Sequence, residues 1–165
     1  MPDMLVKLYE LPEPDSHKEK LDGLDIRRAL APEKHLIVEF VRKHFNPRWA
    51  DECEVAISRL PATCYIVVDN GKMVGFACYD AICKNFFGPT GVDENYRGKG
   101  IGKALLFACL RAMAADGYGY AIIGGAGPVD FYASTVGAVE IPGSAPGIYR
   151  GMLKESSLDA VGGTK

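Results

Sequence analysis

Seven residues, Arg97-Gly98-Lys99-Gly100-Ile101-Gly102-Lys103, set three alternating glycines among three cations, directly after an apolar segment that ends near Val92. This is the composition of an anion-binding turn. The first turn of a helix leaves backbone N–H groups without intrahelical partners, and the helix dipole adds partial positive charge there. Glycines remove the Cβ atoms that would keep a phosphate at a distance, and they allow positive φ. Arg97, Lys99 and Lys103 add full charges around the same turn, so the chemistry indicated is the grip of a diphosphate.

Two well-known phosphate loops fail on spacing. The P-loop needs glycine where Arg97 stands, and Ser or Thr after its lysine, where Ala104 stands. The dinucleotide fingerprint needs glycine where Lys103 stands. What remains, Arg97-x-x-Gly100-x-Gly102, resembles the acyl-CoA-binding motif of the GNAT superfamily of acyl-CoA-dependent N-acyltransferases: Gln or Arg, two residues, Gly, one residue, then Gly or Ala. The run from Glu94 to Leu106, the strand before it, and the helix and strand after it match that family's core. The order of elements fits from roughly Leu24 to Lys154.

The resemblance implies an α/β fold of the mixed α+β kind. Its central, mostly antiparallel sheet would be flanked by helices and would hold CoA in a splayed parallel strand pair. It implies N-acetyl transfer, in which a primary amine attacks the thioester carbonyl of acetyl-CoA directly within a ternary complex. Arg97 to Lys103 become the pyrophosphate loop, and Thr90, Gly91 and Val92 the strand whose backbone meets the pantetheine amides. Tyr132 matches in kind the tyrosine that protonates the leaving thiolate, although it stands one position further from Gly137 than the common pattern, and a packing role is its alternative. The carboxylate that many members carry early on the bulged strand is absent, because Asn85-Phe86-Phe87 stands there. Asp80 and Glu140 are the remaining base candidates, each with a solvated surface charge as its alternative. A non-catalytic module that binds and senses acyl-CoA is a second reading, motivated by that missing carboxylate and the shifted tyrosine. An acyltransferase of different donor length is a third.

The elements that must position these residues are legible in turn. Met4 to Leu11 alternates apolar and polar residues, as a short extra strand ahead of the core would. Pro12-Glu13-Pro14-Asp15-Ser16 breaks it, so residues 1–23 read as an N-terminal extension of a single domain spanning 1–165. Asp25 to Ala29, followed by Pro32, reads as a first core strand handing over to a helix with Leu36, Ile37, Phe40, Val41, His44 and Phe45 on one face. Asn46-Pro47 caps the next helix, where Trp49, Cys53, Ala56, Ile57 and Leu60 repeat the stripe until Pro61.

Cys64 to Val68 and Met73 to Tyr79 form a hairpin about Asn70-Gly71, a type I′ signal. Asn85 to Val92 carries Gly88, Pro89 and Gly91, which predicts a bulge, since proline cannot donate to a ladder. Gly119 to Ile123 is the next strand and runs into Gly124-Gly125-Ala126-Gly127. Between them the helix from Lys99 to Asp116 carries Ile101, Leu105, Ala108, Cys109 and Ala112 on its core face. Pro128 opens a further helix through Val136. Ala138 to Pro142 and Gly147 to Leu153 read as a closing pair of strands, and 155–165 as a tail.

Composition sets the outer limits. With 165 residues, 48% hydrophobic and 24% charged, the chain is one ordinary globular domain's worth, able to bury a core. A net charge of -2 gives no reason to expect a nucleic-acid partner. Five cysteines without a CxxC pair argue against a disulfide framework and against a metal site, and they fit a reducing cytoplasm. No apolar run approaches membrane-spanning length. The expected partner is a small-molecule or peptide amine. A homodimer is a further expectation, since dimers are frequent in families that look like this one.

Overall fold

The computed structural model describes residues 1–13 and 21–155 and is a mixed α/β structure: a seven-stranded sheet with helices on both faces. Strands β1 (Met4–Lys7), β2 (Asp25–Arg28), β3 (Cys64–Asp69), β4 (Lys72–Tyr79), β5 (Phe86–Val92), β6 (Tyr120–Ile123) and β7 (Val139–Glu140) lie in the order β2-β3-β4-β5-β6-β1-β7. Every neighbouring pair is antiparallel except β5 and β6. Helices α1 (Lys34–His44) and α2 (Pro47–Ile57) cover one face, and α3 (Ile101–Ala115) and α4 (Val129–Val136) the other.

The period of two along the central strands produces this layering. Cys64, Ile66, Phe76 and Cys78 pack with Ile37, Val41, Cys53 and Ala56 of α1 and α2. Val67, Ala77 and Tyr79 face the other way, into the cluster built on Leu105, Cys109 and Met113 of α3. β4 is therefore buried on both sides from Val74 to Tyr79.

Local chemistry places the turns. Asn70 and Gly71 both take positive φ, 45° and 81°, as a type I′ hairpin requires. Asn46 caps α2 by accepting a hydrogen bond on Oδ1 from the Trp49 N–H at 2.9 Å, with Pro47 in the first position. Between the pairs Ala77–Thr90 and Tyr79–Phe87, β5 uses one residue more than β4, and Gly88 sits at φ 120° in that bulge.

The first and last segments depart from the expected arrangement. Met4 to Lys7 is no appendage but the strand between β6 and β7, with Met4 and Val6 buried. The closing pair of strands is reduced to Val139–Glu140, which pairs with β1, and Gly147–Tyr149 is a single 3-10 turn. Pro142 and Pro146 offer no N–H, and Gly143, Gly147 and Gly151 curl the chain at φ 70°, 57° and 77°, so that segment cannot sustain a ladder. The outer edge of β6 goes instead to the alternating residues of β1.

Three stripe residues also lie outside the core: Leu36 and His44 face solvent on α1, and Leu60 is 94% exposed because α2 ends at Ile57. Lys99 and Gly100 precede α3 rather than belonging to it. The expected tail over 156–165 and residues 14–16 of the predicted breaker lie outside the described residues.

Candidate active site

β5 and β6 pair only through Phe86–Ile122 and Phe87–Ile123. Beyond that point the two parallel strands part, and Thr90, Gly91 and Val92 pair with β4 alone. A crevice beyond the carboxyl ends of adjacent parallel strands is where α/β sheets place ligands. Here it opens into a cavity of about 900 Å³, walled by Gly88 to Thr90 on one side and Gly124 to Gly127 on the other. α2, the Ala145–Tyr149 turn and Tyr132 of α4 close it.

The glycines of the far wall are there for space. A Cβ on Gly124 would come within 3.0 Å of the Phe86 ring and 3.2 Å of the Tyr149 hydroxyl. The wall is fixed from behind by the first strand: Gly125 N–H donates to Asp3 Oδ1 and Ala126 N–H to the Pro2 carbonyl, both at 2.8 Å. Asp3 N–H in turn donates to Ser144 Oγ at 2.7 Å, which holds the loop before the Ala145–Tyr149 turn.

At the far end of β5 the backbone runs through a 3-10 turn, Glu94–Tyr96, into the glycine-rich loop. Tyr96 anchors it by donating to Asp69 Oδ2 at 2.7 Å, and Lys99 Nζ lies 4.7 Å from the centre of the Tyr96 ring. Gly98 and Gly100 take φ of 79° and 82°, with nothing within 4 Å of where a Cβ would stand. Gly100 caps α3, and the first intrahelical bond runs from Ala104 N–H to the Gly100 carbonyl, so the N–H groups of Ile101, Gly102 and Lys103 have no intrahelical acceptor. A fifteen-residue helix, three amides and an open cradle fit a phosphate ester.

Not every residue expected near CoA faces the cleft. Thr90 lines it, its hydroxyl bonded to the Phe76 carbonyl at 3.1 Å. Gly91 lies under the Phe45 ring, where a Cβ would stand 2.4 Å from Phe45 Cζ. Val92 packs into the core, and Ile101 is buried there too. Arg97, Lys99 and Lys103 surround the helix start rather than the cavity.

The proton-transfer candidates are divided. Tyr132 is buried, lines the cleft and packs its ring edge-on to Phe87, centroids 6.4 Å apart. Burial pushes its phenol pKa up. Asp80 does not line the cleft: at φ 52° it turns the chain after β4, its Oδ1 accepting from Asn85 N–H and its Oδ2 from the Tyr118 hydroxyl, each at 2.8 Å. Both oxygens are engaged in holding that turn. Glu140 is exposed on β7 opposite Met4 and also lies off the cleft. His44 is exposed and stacks on Phe40.

Of the aromatic residues around the parting strands, Trp49 and Phe87 line the cleft, whereas Phe86 covers Gly124. Tyr79 is fully buried elsewhere, accepting from Arg28 at 2.9 Å and donating to Asp116 at 3.3 Å, and burial first of all pushes its pKa up to about 12.

Two residues of the cleft escape sequence reasoning. Glu52 projects from α2 into the cavity, and desolvation raises its carboxyl pKa. No hydrogen bond or ion pair engages it among the described residues. Tyr149 lines the same cavity, its pKa raised by burial and then by the Glu52 charge. One signal for Glu52 is present in the sequence: it falls on the same helical face as Trp49, Cys53 and Ala56, an acid set into an apolar stripe. Tyr149 follows a stretch whose partners are not local and gives no such signal.

Known proteins carry the comparison further. The sequence profile of the acetyltransferase (GNAT) family matches residues 7–135. No curated protein sequence matches the chain. Among solved structures, the chain is similar to a GCN5-related glucosamine N-acetyltransferase region of a fungal multi-domain β-N-acetylglucosaminidase, with 16% identity and a TM-score of 0.69 over 85% of this chain and 19% of that one. It is similar to a GCN5-related N-acetyltransferase from Sphaerobacter thermophilus, with 19% identity and a TM-score of 0.66 over 85% of this chain and 48% of that one. An aminoglycoside acetyltransferase from an uncultured soil metagenomic sample matches at 17% identity and a TM-score of 0.52, over 69% of this chain and 88% of its own. The chain thus spans about a fifth and about half of the first two structures, and at these identities the likeness is one of fold. The profile match covers more than half of the chain, including the cationic glycine loop, the parting strands and α3, and it shows that the chain belongs to the GNAT acetyltransferase family.

Proposed function

We propose that this protein is an N-acetyltransferase that moves an acetyl group from acetyl-CoA to a primary amine. The observation that carries the reading is the early end of the β5–β6 ladder at Phe87–Ile123, which opens a cleft on the strand that leads into the cationic helix start. When bound, acetyl-CoA supplies the activated thioester. Ile101, Gly102 and Lys103 would hold its diphosphate through their backbone N–H groups, with Arg97, Lys99 and Lys103 adding charge, and the unpaired edge of β5 from Thr90 onward would meet the pantetheine amides.

Glu52 is the residue placed to take the proton from the acceptor ammonium, because a carboxylate whose pKa is raised is a stronger base than a solvated one. Tyr132 is placed to give a proton to the departing sulfur. Its phenol is protonated at neutral pH, as a tyrosine ordinarily is, and burial raises its pKa further. The two groups come from helices on opposite faces of the sheet, which leaves the acceptor nitrogen room between them. A carboxylate and a phenol in one cleft support turnover over mere sensing.

The test is a calorimetric titration of ligand-stripped protein with acetyl-CoA and with dephospho-CoA, followed by CoA release across a panel of amines and acyl-CoA donors of increasing length. Saturable binding of acetyl-CoA with amine-dependent release of CoA is the expected result. A folded sample that binds neither thioester nor CoA would overturn the reading.

A further inference from the structure

We propose that the acceptor is a primary amine that carries one positive charge on a flat, apolar, aryl-alkyl body. The inference rests on the acetyl-transfer reading and narrows it. Its ground is one half-buried carboxylate in a cavity with an aromatic wall, Glu52 sharing the lining with Trp49, Phe87, Tyr132 and Tyr149.

A carboxylate drawn out of water without a partner is costly, and an arriving ammonium removes that cost. Glu52 is in that condition: burial alone moves its pKa, and no cation is paired with it among the described residues. The other charged side chains of the lining, Arg48 and Glu155, are exposed at the rim, as is Met1 with its α-amino group. The interior of the cleft can therefore neutralise one ammonium. A polyamine or an aminoglycoside would bring further charges, for which the lining offers only the exposed Glu155 at the rim.

The walls favour a ring. Trp49 is held by Phe45, 5.5 Å away and nearly parallel, and by Phe76 at 6.4 Å, so it is a rigid platform and little is lost in ordering it on binding. Tyr149 lines the same cavity as Glu52 and feels its charge, which adds a second aromatic ring to the wall around the carboxylate. Phe87 and Tyr132, edge to face, continue the apolar surface toward the parting strands.

Trp49 is the chain's only tryptophan, so its fluorescence reports on this cleft. The full chain is titrated with 2-phenylethylamine, 2-phenylethanol, spermidine and kanamycin, for the wild type and for Glu52→Gln, and CoA release from acetyl-CoA is followed for each amine. The expected result is saturable binding of 2-phenylethylamine at least about tenfold tighter than spermidine or kanamycin, and a loss of about tenfold or more in Glu52→Gln, with 2-phenylethanol unaffected. Tighter binding of spermidine or kanamycin by the wild type overturns the inference. So does 2-phenylethylamine binding that ignores Glu52. Release of CoA with polycations alone would likewise overturn it while leaving acetyl transfer standing. Glu52-dependent binding of 2-phenylethylamine without CoA release would uphold the acceptor site and count against acetyl transfer instead.

Discussion

The carboxylate of Asp3 accepts a hydrogen bond from the backbone N–H of Gly125 at 2.8 Å, across 122 positions of sequence, and so ties the first strand to the far wall of the cleft. Asp3→Ala leaves that N–H without its partner in a part-buried setting, at a cost of about 1–3 kcal/mol. Urea unfolding should show the loss, and Asp3→Asn, which keeps an acceptor, should recover most of it. An unchanged midpoint in Asp3→Ala would mean that the wall stands by itself.

Gly91 and Phe45 give a second coupling, between β5 and the α1–α2 junction. A Cβ at Gly91 would stand 2.4 Å from Phe45 Cζ, and the ring it displaces supports Trp49. Gly91→Ala should cost about 1–3 kcal/mol by overpacking and shift the Trp49 emission. Adding Phe45→Leu should restore stability in part, which a merely local backbone effect at Gly91 would not allow.

Gly102 separates binding from folding. The nearest atom to its missing Cβ is Val92 Cγ2 at 3.9 Å, so a side chain there meets open space. Gly102→Glu should leave the protein as stable or more so by about 0.5–1 kcal/mol, since it replaces glycine in a helix and sets an acid in the first turn. CoA affinity should nevertheless fall about tenfold or more, read by calorimetry, because the new carboxylate faces the diphosphate. Undiminished affinity would remove the loop from the site.

Tyr132→Phe should lower turnover by about 100-fold while changing CoA binding little, as expected when a proton donor is lost. The hydroxyl has no hydrogen-bond partner among the described residues, so the melting temperature should hold. Equal rates for the two proteins would reduce Tyr132 to a packing residue.

Glu52 links activity and stability to pH with opposite signs. Its raised pKa means that the folded protein binds this proton more tightly than the unfolded chain. The corresponding stability is fully present below the unfolded value and is lost as pH rises through the folded one. Glu52→Gln should therefore melt at a higher temperature than the wild type at pH 7 and at the same temperature at pH 3. The titratable groups that feel the Glu52 charge are the Tyr149 phenol and the Cys53 thiol, and Arg48, Glu155 and the Met1 amino group share the cavity lining with it. In the wild type, kcat/KM should rise with pH through a value above the ordinary carboxylate range, and that limb should vanish in Glu52→Gln.

What the sequence made legible is what neighbours in the chain decide. The glycine loop and α3, the Asn70-Gly71 hairpin and the Asn46-Pro47 cap all rest on contacts within a few residues, and each stands where spacing and composition place it. The bulge at Gly88-Pro89 was readable for the same reason. What was not legible depends on distant partners. Nothing in Met4 to Lys7 says that β6 will be its neighbour, and the apolar residues of Gly147 to Leu153 resemble a strand until Gly147, Gly151 and the preceding Pro146 are weighed. Glu52 was hidden by composition, since an acid between Asp51 and Cys53 reads as one more solvated charge until the fold sets the 145–149 turn against it.

The place of β1 in the sheet also bears on kinetics. Its pairing with β6 joins Met4 to Ile123, so one of the longest loops in the molecule must close before the outer edge of β6 is covered. The hairpin β3–β4 and the α1–α2 pair can form early from contacts close in sequence, whereas this strand docks only after β6 is laid down. Until it does, Tyr120 to Ile123 offers open N–H and carbonyl groups to any extended chain nearby, and refolding at high protein concentration should lose yield to association at that edge.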